Sequence, residues 1–185
     1  LSAGSSQNVS TTFTPSAIGS ASSTLTISHN AGSGSSTATL SAFGSASSGT
    51  AVKGQISSDT TWSASGSPYV VTETVLVSEG VKLTVEAGVE GKFSSGTSLQ
   101  VFGELVVQGT SSSSITFTSV QESKAAGDWG QIVFYDSSVD ASYDGNGDYA
   151  SGSILEYCTV EYGGGIQLNL ANPFINQGTI RYHSD

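Results

Sequence analysis

Positive charge is scarce in this chain. Lys and Arg together number 5 among 185 residues, against 15 Asp and Glu, and the formal net charge is −10. The basic residues are scattered and form no patch: Lys53, Lys82, Lys92, Lys124 and Arg181. Nucleic acids and anionic lipid headgroups are bound through clusters of positive charge, so we expect neither as a partner.

Long apolar runs and a recognisable leader are also missing. No run approaches the roughly 18–20 apolar residues that span a bilayer, so we expect no membrane insertion. No signal peptide is visible, and we therefore expect a chain that is mature or excised from something longer. Methionine is absent, charged residues make up 11% and glycine contributes 23 residues. We interpret this composition as that of an extracellular or cell-surface protein built of short strands and tight turns.

Cysteine occurs once, as Cys158 in the alternating run ILEYCTVEY. A catalytic thiol needs a nearby histidine, and the two histidines, His29 and His183, are distant from it in sequence, although folding could bring one closer. We therefore interpret Cys158 as a small buried apolar residue of a strand.

What the chain does contain is a recurring two-residue alternation between positions 74 and 118. Each apolar run is too short to be a helix with its own core but long enough to be one strand. Runs that recur every ~20–30 residues predict a solenoid, in which each coil buries its apolar face only against the next. The runs are Val75–Val77, Val81–Val85, Leu99–Val101, Leu105–Val107 and Ile115–Phe117.

Longer motifs make the prediction more specific. VKLTVEAGVEGKF begins at Val81, LQVFGEL at Leu99, GDWGQIVF at Gly127 and ILEYCTVEYGG at Ile154. From Val70 onward the chain resembles right-handed parallel β-helix proteins of the pectate-lyase-like superfamily. The resemblance implies an all-β fold, with a right-handed parallel β-helix (solenoid) over residues 51–185 that is open at its C-terminal end. It also implies inward columns, with Val75, Leu83 and Val85 stacked above Leu99, Val101 and Leu105.

The segment that precedes these coils, residues 51–69, resembles the lead-in of secreted β-helices, with a Trp and a Pro-Tyr pair before the first coil. We expect Trp62 to cap the open end of the apolar stack. A platform on which a carbohydrate stacks is the alternative.

The N-terminal segment, residues 1–50, differs in texture. Its alternation predicts strands at Val9–Thr14, Ser23–Ser28 and Thr37–Ala42, too few to close a sandwich of about seven strands. The segment resembles the C-terminal half of immunoglobulin-like domains of the ASPM/SPD-2/Hydin kind. This implies a partial immunoglobulin-like β-sandwich whose missing strands come from elsewhere, for example from a neighbouring molecule. The matching residues are Phe13, Thr14, Pro15, Leu25, Ile27, Asn30, Leu40 and Gly44.

The β-helix superfamily includes polysaccharide lyases and hydrolases, so catalysis has to be considered. A uronate lyase needs a base and cations, yet only Arg181 lies in a late coil, and a −10 chain repels polyuronate. Glu156 and Glu161 lie on opposite faces if their strand is uninterrupted, and a turn between them would change this. The aspartates Asp128, Asp136 and Asp140 are close in sequence, but GDWG is more typical of a turn. We expect no enzyme.

The loop from Asp140 to Tyr149 is the best candidate metal site. Carboxylate and amide oxygens alternate with glycines there, and Ca²⁺ takes 6–8 oxygen ligands. The match to an EF-hand loop is partial, because Tyr149 and Leu155 stand where that loop has Gly and Glu. The alternative is a solvated, turn-rich insertion between coils. The predicted calcium ligands are Asp140, Asp144, Asn146 and Asp148.

Together these features predict a non-catalytic extracellular structural module, such as a stalk, adhesin or filament subunit. Its partners would be further copies of itself or other domains of a longer chain, joined through open β edges. The alternative is a carbohydrate-binding or carbohydrate-cleaving β-helix, with a groove built from aromatic side chains such as Trp129, Tyr157 and Tyr162.

Overall fold

The structure is a computed structural model, and it describes residues 19–30, 34–44 and 49–184. The chain divides into two units, Leu1–Ser47 and Ser48–Asp185. Within the described residues the secondary structure is β apart from one 3₁₀ turn, Ala64–Gly66. None of the described segments is a helix with the length and apolar character needed to span a membrane.

The first unit contains an antiparallel β-ribbon of β1 (Gly19–Ser28) and β2 (Ser35–Gly44). Two of the three predicted strands are therefore confirmed as parts of longer ones. The third, Val9–Thr14, lies outside the described residues, as does the Phe13–Pro15 motif. The immunoglobulin-like assignment of this segment stays a prediction.

The two faces of this ribbon differ in chemistry. Thr24 lies opposite Thr39 and Thr26 opposite Thr37, which places hydroxyl side chains together on one face. Alternation places Leu25 on the other face, opposite Ala38.

The second unit is a parallel β-solenoid of about six turns, which confirms the predicted fold class. Its strands are β3 (Thr50–Ile56), β4 (Thr60–Trp62), β5 (Tyr69–Val77), β6 (Lys82–Val85), β7 (Glu90–Phe93), β8 (Leu99–Val101), β9 (Glu104–Gln108), β10 (Ile115–Ser119), β11 (Ile132–Phe134), β12 (Ser142–Tyr143), β13 (Tyr149–Ser151), β14 (Ile154–Glu156), β15 (Cys158–Glu161), β16 (Ile166–Leu168), β17 (Phe174–Asn176) and β18 (Thr179–Arg181).

The solenoid has three parallel faces. Face 1 stacks the first half of β3, the first half of β5, then β7, β10, β15 and β18. Face 2 stacks the second halves of β3 and β5, then β8, β11 and β16. Face 3 stacks β4, β6, β9, β14 and β17. Strand β5 turns the corner between two faces, because Tyr69–Val71 pairs with β7 whereas Val75–Val77 pairs with β8.

The region that the sequence presents as a lead-in, residues 51–69, is itself a coil, so the first coil begins before Val70. Strand β3 pairs in parallel with β5, and β4 pairs with β6. Trp62 points inward from β4, is 1% exposed and stacks on Tyr69 with ring centroids 5.0 Å apart. Trp62 is therefore a core residue of this first coil.

Inward side chains form continuous apolar columns through the coils. Val75 pairs with Leu99 and Leu99 with Ile132, and all three are buried. Leu83 pairs with Leu105 on face 3, and Val85 with Val107. Apolar burial at about 25 cal/mol per Å² makes these columns the main source of stability.

Coil length varies along the solenoid. A long stretch of chain separates Phe117 from Val160, its partner in the next coil. Much shorter stretches separate Tyr69 from its partner Gly91, and Val160 from its partner Ile180. The long coil contains two insertions: a loop over residues 120–131 and a segment over residues 135–153 that includes the β12–β13 hairpin. The extra length lies in loops between the strands, and Trp129 of the first loop returns to the core.

A substitution at Gly103 tests how closely successive coils approach one another. A Cβ at Gly103 would collide with the backbone carbonyl oxygens of Ser78 and Val81, whereas a Cβ at Gly145 would meet nothing within 4 Å. We expect Gly103→Ala to lower the free energy of unfolding by about 1–3 kcal/mol, because backbone atoms must move apart. Gly145→Ala should change it by less than about 0.5 kcal/mol. Urea unfolding of both variants measures the difference, and equal midpoints would contradict the proposed close contact.

Candidate functional site

The loop predicted to bind calcium is a hairpin turn held by Asp144. One carboxylate oxygen of Asp144, Oδ1, accepts hydrogen bonds from the backbone N–H of Asn146 at 2.8 Å and of Asp148 at 3.0 Å. These two bonds lower the pKa of the Asp144 carboxyl below its ordinary value. The carboxylate therefore has a structural partner of its own inside the turn.

Asp140, the predicted carboxylate ligand at the start of this loop, is bound to a different part of the chain. Its Oδ1 accepts a hydrogen bond from the backbone N–H of Asn172 at 2.7 Å. Tyr149 of the same insertion stacks on Phe174 with ring centroids 5.5 Å apart. Among the residues that the structure describes, no group of three or more His, Cys, Asp or Glu side chains is placed to hold a metal ion. Calcium binding by Asp140, Asp144, Asn146 and Asp148 stays a prediction.

The chain turns sharply between Glu156 and Glu161. Strand β14 ends at Glu156, Tyr157 adopts a φ of 46° at the corner, and β15 begins at Cys158. Glu156 lies on face 3, where its Oε1 accepts a hydrogen bond from Nδ2 of Asn176 at 2.9 Å. Glu161 lies on face 1. The two carboxylates therefore belong to different faces because of a turn and not through alternation along one strand.

Glu161 is the centre of a polar cluster that joins three successive coils on face 1. It is 7% exposed, and Arg181 of β18 donates to its Oε2 from Nε and Nη2, each at 2.8 Å. Thr118 of β10 donates to its Oε1 at 3.0 Å, and Nζ of Lys124 donates to the Thr118 hydroxyl at 2.9 Å. Hydrogen bonding to Glu161 raises the pKa of Arg181 above its ordinary value. A nearly buried carboxylate is thereby fully paired.

Two stacked tyrosines adjoin this cluster. Tyr162 and Tyr182 lie at the same corner of successive coils, with ring centroids 5.0 Å apart and ring planes 16° apart. Nζ of Lys124 lies 5.6 Å from the Tyr162 ring centre, and Cζ of Arg181 lies 5.4 Å from that of Tyr182. Cations at this distance from aromatic rings are attracted to them. We call these six residues the face 1 cluster: Thr118, Lys124, Glu161, Tyr162, Arg181 and Tyr182.

Sequence reasoning singled out Glu161, Tyr162 and Arg181 separately but did not bring them together. Their contact depends on the pairing of Val160 with Ile180, which places β18 in register beside β15. The signal that could have found it is the repeat of a Thr-apolar-charged-Tyr pattern at Thr159 and again at Thr179.

Trp129 and Cys158 are core residues. Trp129 is 2% exposed, stacks on Phe93 at 4.1 Å, and donates a hydrogen bond from Nε1 to the carbonyl oxygen of Glu161 at 2.9 Å. Cys158 is 3% exposed, and its burial raises the pKa of the thiol to about 11. The predicted burial of Cys158 is confirmed, and at neutral pH its thiol is protonated and poorly nucleophilic.

The C-terminal end of the solenoid presents apolar side chains to solvent. Leu168, Ile175 and Ile180 continue the inward columns of faces 2, 3 and 1, and they are 46%, 43% and 46% exposed. Their partners in the preceding coil are 0–1% exposed: Phe134, Leu155 and Val160. We call these three exposed residues the C-terminal end. They are exposed because they lie in the last described coil, whereas apolar residues at the same positions of the preceding coil are buried.

Removing the ion pair between Glu161 and Arg181 tests how β18 is held in place. We expect Glu161→Gln to speed amide hydrogen exchange in β18 by about tenfold or more, because Arg181 loses its buried carboxylate partner. The matched control is Glu73→Gln, since the pair between Glu73 and Lys53 has side chains that are both 64% exposed. Exposed pairs contribute little, so exchange in β5 should be unchanged. Equal, small effects of both substitutions would show that the cluster does not hold β18.

Comparison with known protein families places most of the chain in one of them. Residues 54–182 match the family described as "Pectate-lyase like beta helix domain". No curated protein and no solved structure matches the chain. The matched residues run from β3 to the corner after β18, and they include the stacked inward columns and the face 1 cluster. The chain therefore belongs to the family of pectate-lyase-like β-helix domains.

Proposed function

We propose that this chain is a non-catalytic structural module of an extracellular or cell-surface assembly, and that open β edges of its solenoid join it to further copies or to other domains of a longer chain. The observation that carries this proposal is that Leu168, Ile175 and Ile180 are each 43–46% exposed, whereas the residues of the same columns in the preceding coil are buried. Apolar side chains in an ordered stack gain free energy when another surface covers them. A stalk, adhesin or filament subunit uses such an end as a joint.

The state of the reactive side chains supports a structural role. Glu161 is held by Arg181 and Thr118, and Asp144 by the backbone of its own turn. Cys158 is buried with a raised thiol pKa. A general acid or base has to reach a substrate proton, and a nucleophile has to be ionised and accessible. These groups instead stabilise the coils that contain them.

Composition supports the proposed location. The chain is acidic, with 15 Asp and Glu against 5 Lys and Arg, and contains a single, buried cysteine. Molecules with net charge of the same sign repel one another, and this repulsion limits non-specific association through exposed apolar side chains. We propose copies of the same chain as the partner, and an immunoglobulin-like segment over residues 1–50 as a second region that a neighbour completes.

A charge placed at the C-terminal end tests the proposal. We expect the native chain to form larger species as its concentration rises, and Ile180→Asp to remain monomeric, because a carboxylate would be buried at the joint. The control is Gln167→Asp, which adds the same charge on the outward side of β16 and should leave assembly unchanged. Analytical ultracentrifugation and electron microscopy read out size and shape. A native chain that stays monomeric at every concentration would overturn the proposal.

The face 1 cluster favours carbohydrate binding as a second candidate function. Tyr182 is 56% exposed, stacks on Tyr162 and has the guanidinium of Arg181 beside it. Sugar rings stack on aromatic faces, and flanking cations add hydrogen-bond donors.

Tyr182→Ala tests this second function. We expect the substitution to weaken binding of a panel of neutral and acidic oligosaccharides by about tenfold or more, measured by titration calorimetry, because about 1.4 kcal/mol of contact free energy is lost. Tyr143→Ala removes a tyrosine of similar exposure, 55%, from the β12–β13 hairpin and serves as control. An unchanged affinity in the Tyr182 variant, or no binding by the native chain, would exclude the site.

A further inference from the structure

Tyr162 and Tyr182 occupy the same position in successive coils, and their rings are in contact. Glu161 pairs with Arg181, so each tyrosine is the residue that directly follows one of the paired strands β15 and β18. The ring centroids lie 5.0 Å apart, and the ring planes differ by 16°. Residues 49–184 contain all seven tyrosines of the chain, and within them this is the one stack of two tyrosine rings.

The backbone at both tyrosines has an uncommon conformation. The φ angle is 62° at Tyr162 and 53° at Tyr182, in the left-handed region that glycine adopts most easily. Because the two residues share one backbone conformation at equivalent positions, their side chains leave the chain in the same direction and the rings lie nearly parallel. A backbone conformation that is unfavourable for a bulky residue points to a role for the side chains at these two corners.

Positive charge beside both rings helps to fix the pair. Nζ of Lys124 lies 5.6 Å from the ring centre of Tyr162, and Cζ of Arg181 lies 5.4 Å from that of Tyr182. Arg181 is held in turn by Glu161, which accepts from its Nε and Nη2 at 2.8 Å each. Two groups held in contact react as though each were at a very high local concentration. The stack is therefore preorganised for a reaction between its two rings.

We infer that Tyr162 and Tyr182 are a site of oxidative cross-linking, at which the two rings become joined as dityrosine and covalently link β18 to β15. The oxidant is hydrogen peroxide acting through a haem peroxidase, a class of enzyme that removes single electrons from phenols. The two residues are in contact within one chain, so the inference depends neither on assembly nor on carbohydrate binding.

The reaction balances with hydrogen peroxide as its co-reactant. Each phenol loses one electron and its hydroxyl proton, which gives two phenoxyl radicals whose unpaired electrons are shared with the ring carbons ortho to oxygen. A C–C bond forms between one such carbon of Tyr162 and one of Tyr182. These carbons then release their hydrogens as protons and the two oxygens take up protons, which restores both hydroxyls and both aromatic rings. Hydrogen peroxide takes up the two electrons and two protons and leaves as two molecules of water.

Four other tyrosines have different neighbours. Tyr69 and Tyr135 stack on a tryptophan and a phenylalanine, neither of which gives dityrosine. Tyr143 and Tyr149 are partners across the β12–β13 hairpin, and both of their rings contact Phe174. The two hairpin tyrosines are therefore the competing pair that an experiment has to distinguish.

Peroxidase treatment followed by trypsin digestion tests the inference. Trypsin cleaves after Arg181, so Tyr162 lies in the peptide 125–181 and Tyr182 in the peptide 182–185. We expect the native chain, oxidised at a concentration at which it is monomeric, to show dityrosine fluorescence. Mass spectrometry should find these two peptides joined, with the loss of two hydrogens. A bond between the two hairpin tyrosines would instead lie within the first peptide.

Substitution by phenylalanine removes a phenol and keeps the stacked ring. We expect Tyr162→Phe and Tyr182→Phe each to lower the yield of dityrosine by about tenfold or more, because the remaining phenoxyl radical has no second phenol in contact with it. The control is Tyr143→Phe, which removes a tyrosine of similar exposure, 55% against 56% for Tyr182, and should leave the yield unchanged. An unchanged yield in the Tyr182 variant, or joined peptides that come only from covalent dimers, would overturn the inference.

Amide hydrogen exchange measures what the cross-link does to the fold. We expect oxidation of the native chain to slow exchange in β18 by about tenfold or more, because β18 can no longer separate freely from β15. The same treatment of Tyr182→Phe should leave exchange in β18 unchanged, and equal exchange in β6 and β9 shows that every sample is folded. An oxidised native chain without the joined peptides, or a cross-link that does not slow exchange in β18, contradicts the inference.

Discussion

In-register parallel pairing between successive coils is the interaction on which this structure depends. A single coil has an apolar inner edge and unsatisfied backbone groups, and both are covered only by the coil above or below it. Leu99 illustrates this, since it is buried between Val75 and Ile132 of its two neighbours. A coil with one neighbour therefore keeps part of its inner surface exposed, which is the state of Leu168, Ile175 and Ile180.

Side chains outside the columns hold the last coils in place. Glu161 links Thr118 to Arg181 across three coils, and Asp140 binds the backbone of Asn172 from the insertion beside face 3. The first insertion of the long coil contacts Tyr162 through Lys124, and the second contacts Asn172 through Asp140. These polar and aromatic contacts hold the last described coil in register with the coil before it.

Membership of a family that is similar to pectate lyases describes a scaffold, and function on such a scaffold depends on the side chains that its faces display. Here the outward side chains of face 1 form an internally paired cluster. Its one carboxylate, Glu161, is paired with Arg181, and Lys124 and Arg181 are both associated with tyrosine rings. The proposed function assigns this surface to structural contacts or to stacking with a sugar.

The sequence by itself determined the β class, which side chains of the strands face inward and the burial of Cys158, because side-chain alternation is local and has a period of two. It did not determine that Trp62 belongs to a full coil, that Glu161 meets Arg181, or that Asp140 and Asp144 bind separate backbone segments. These features depend on which strands pair, and loops of different length make the spacing between paired strands differ from coil to coil. Only the tertiary structure decides that register, since it is set by the combined burial of all columns and by no short segment alone.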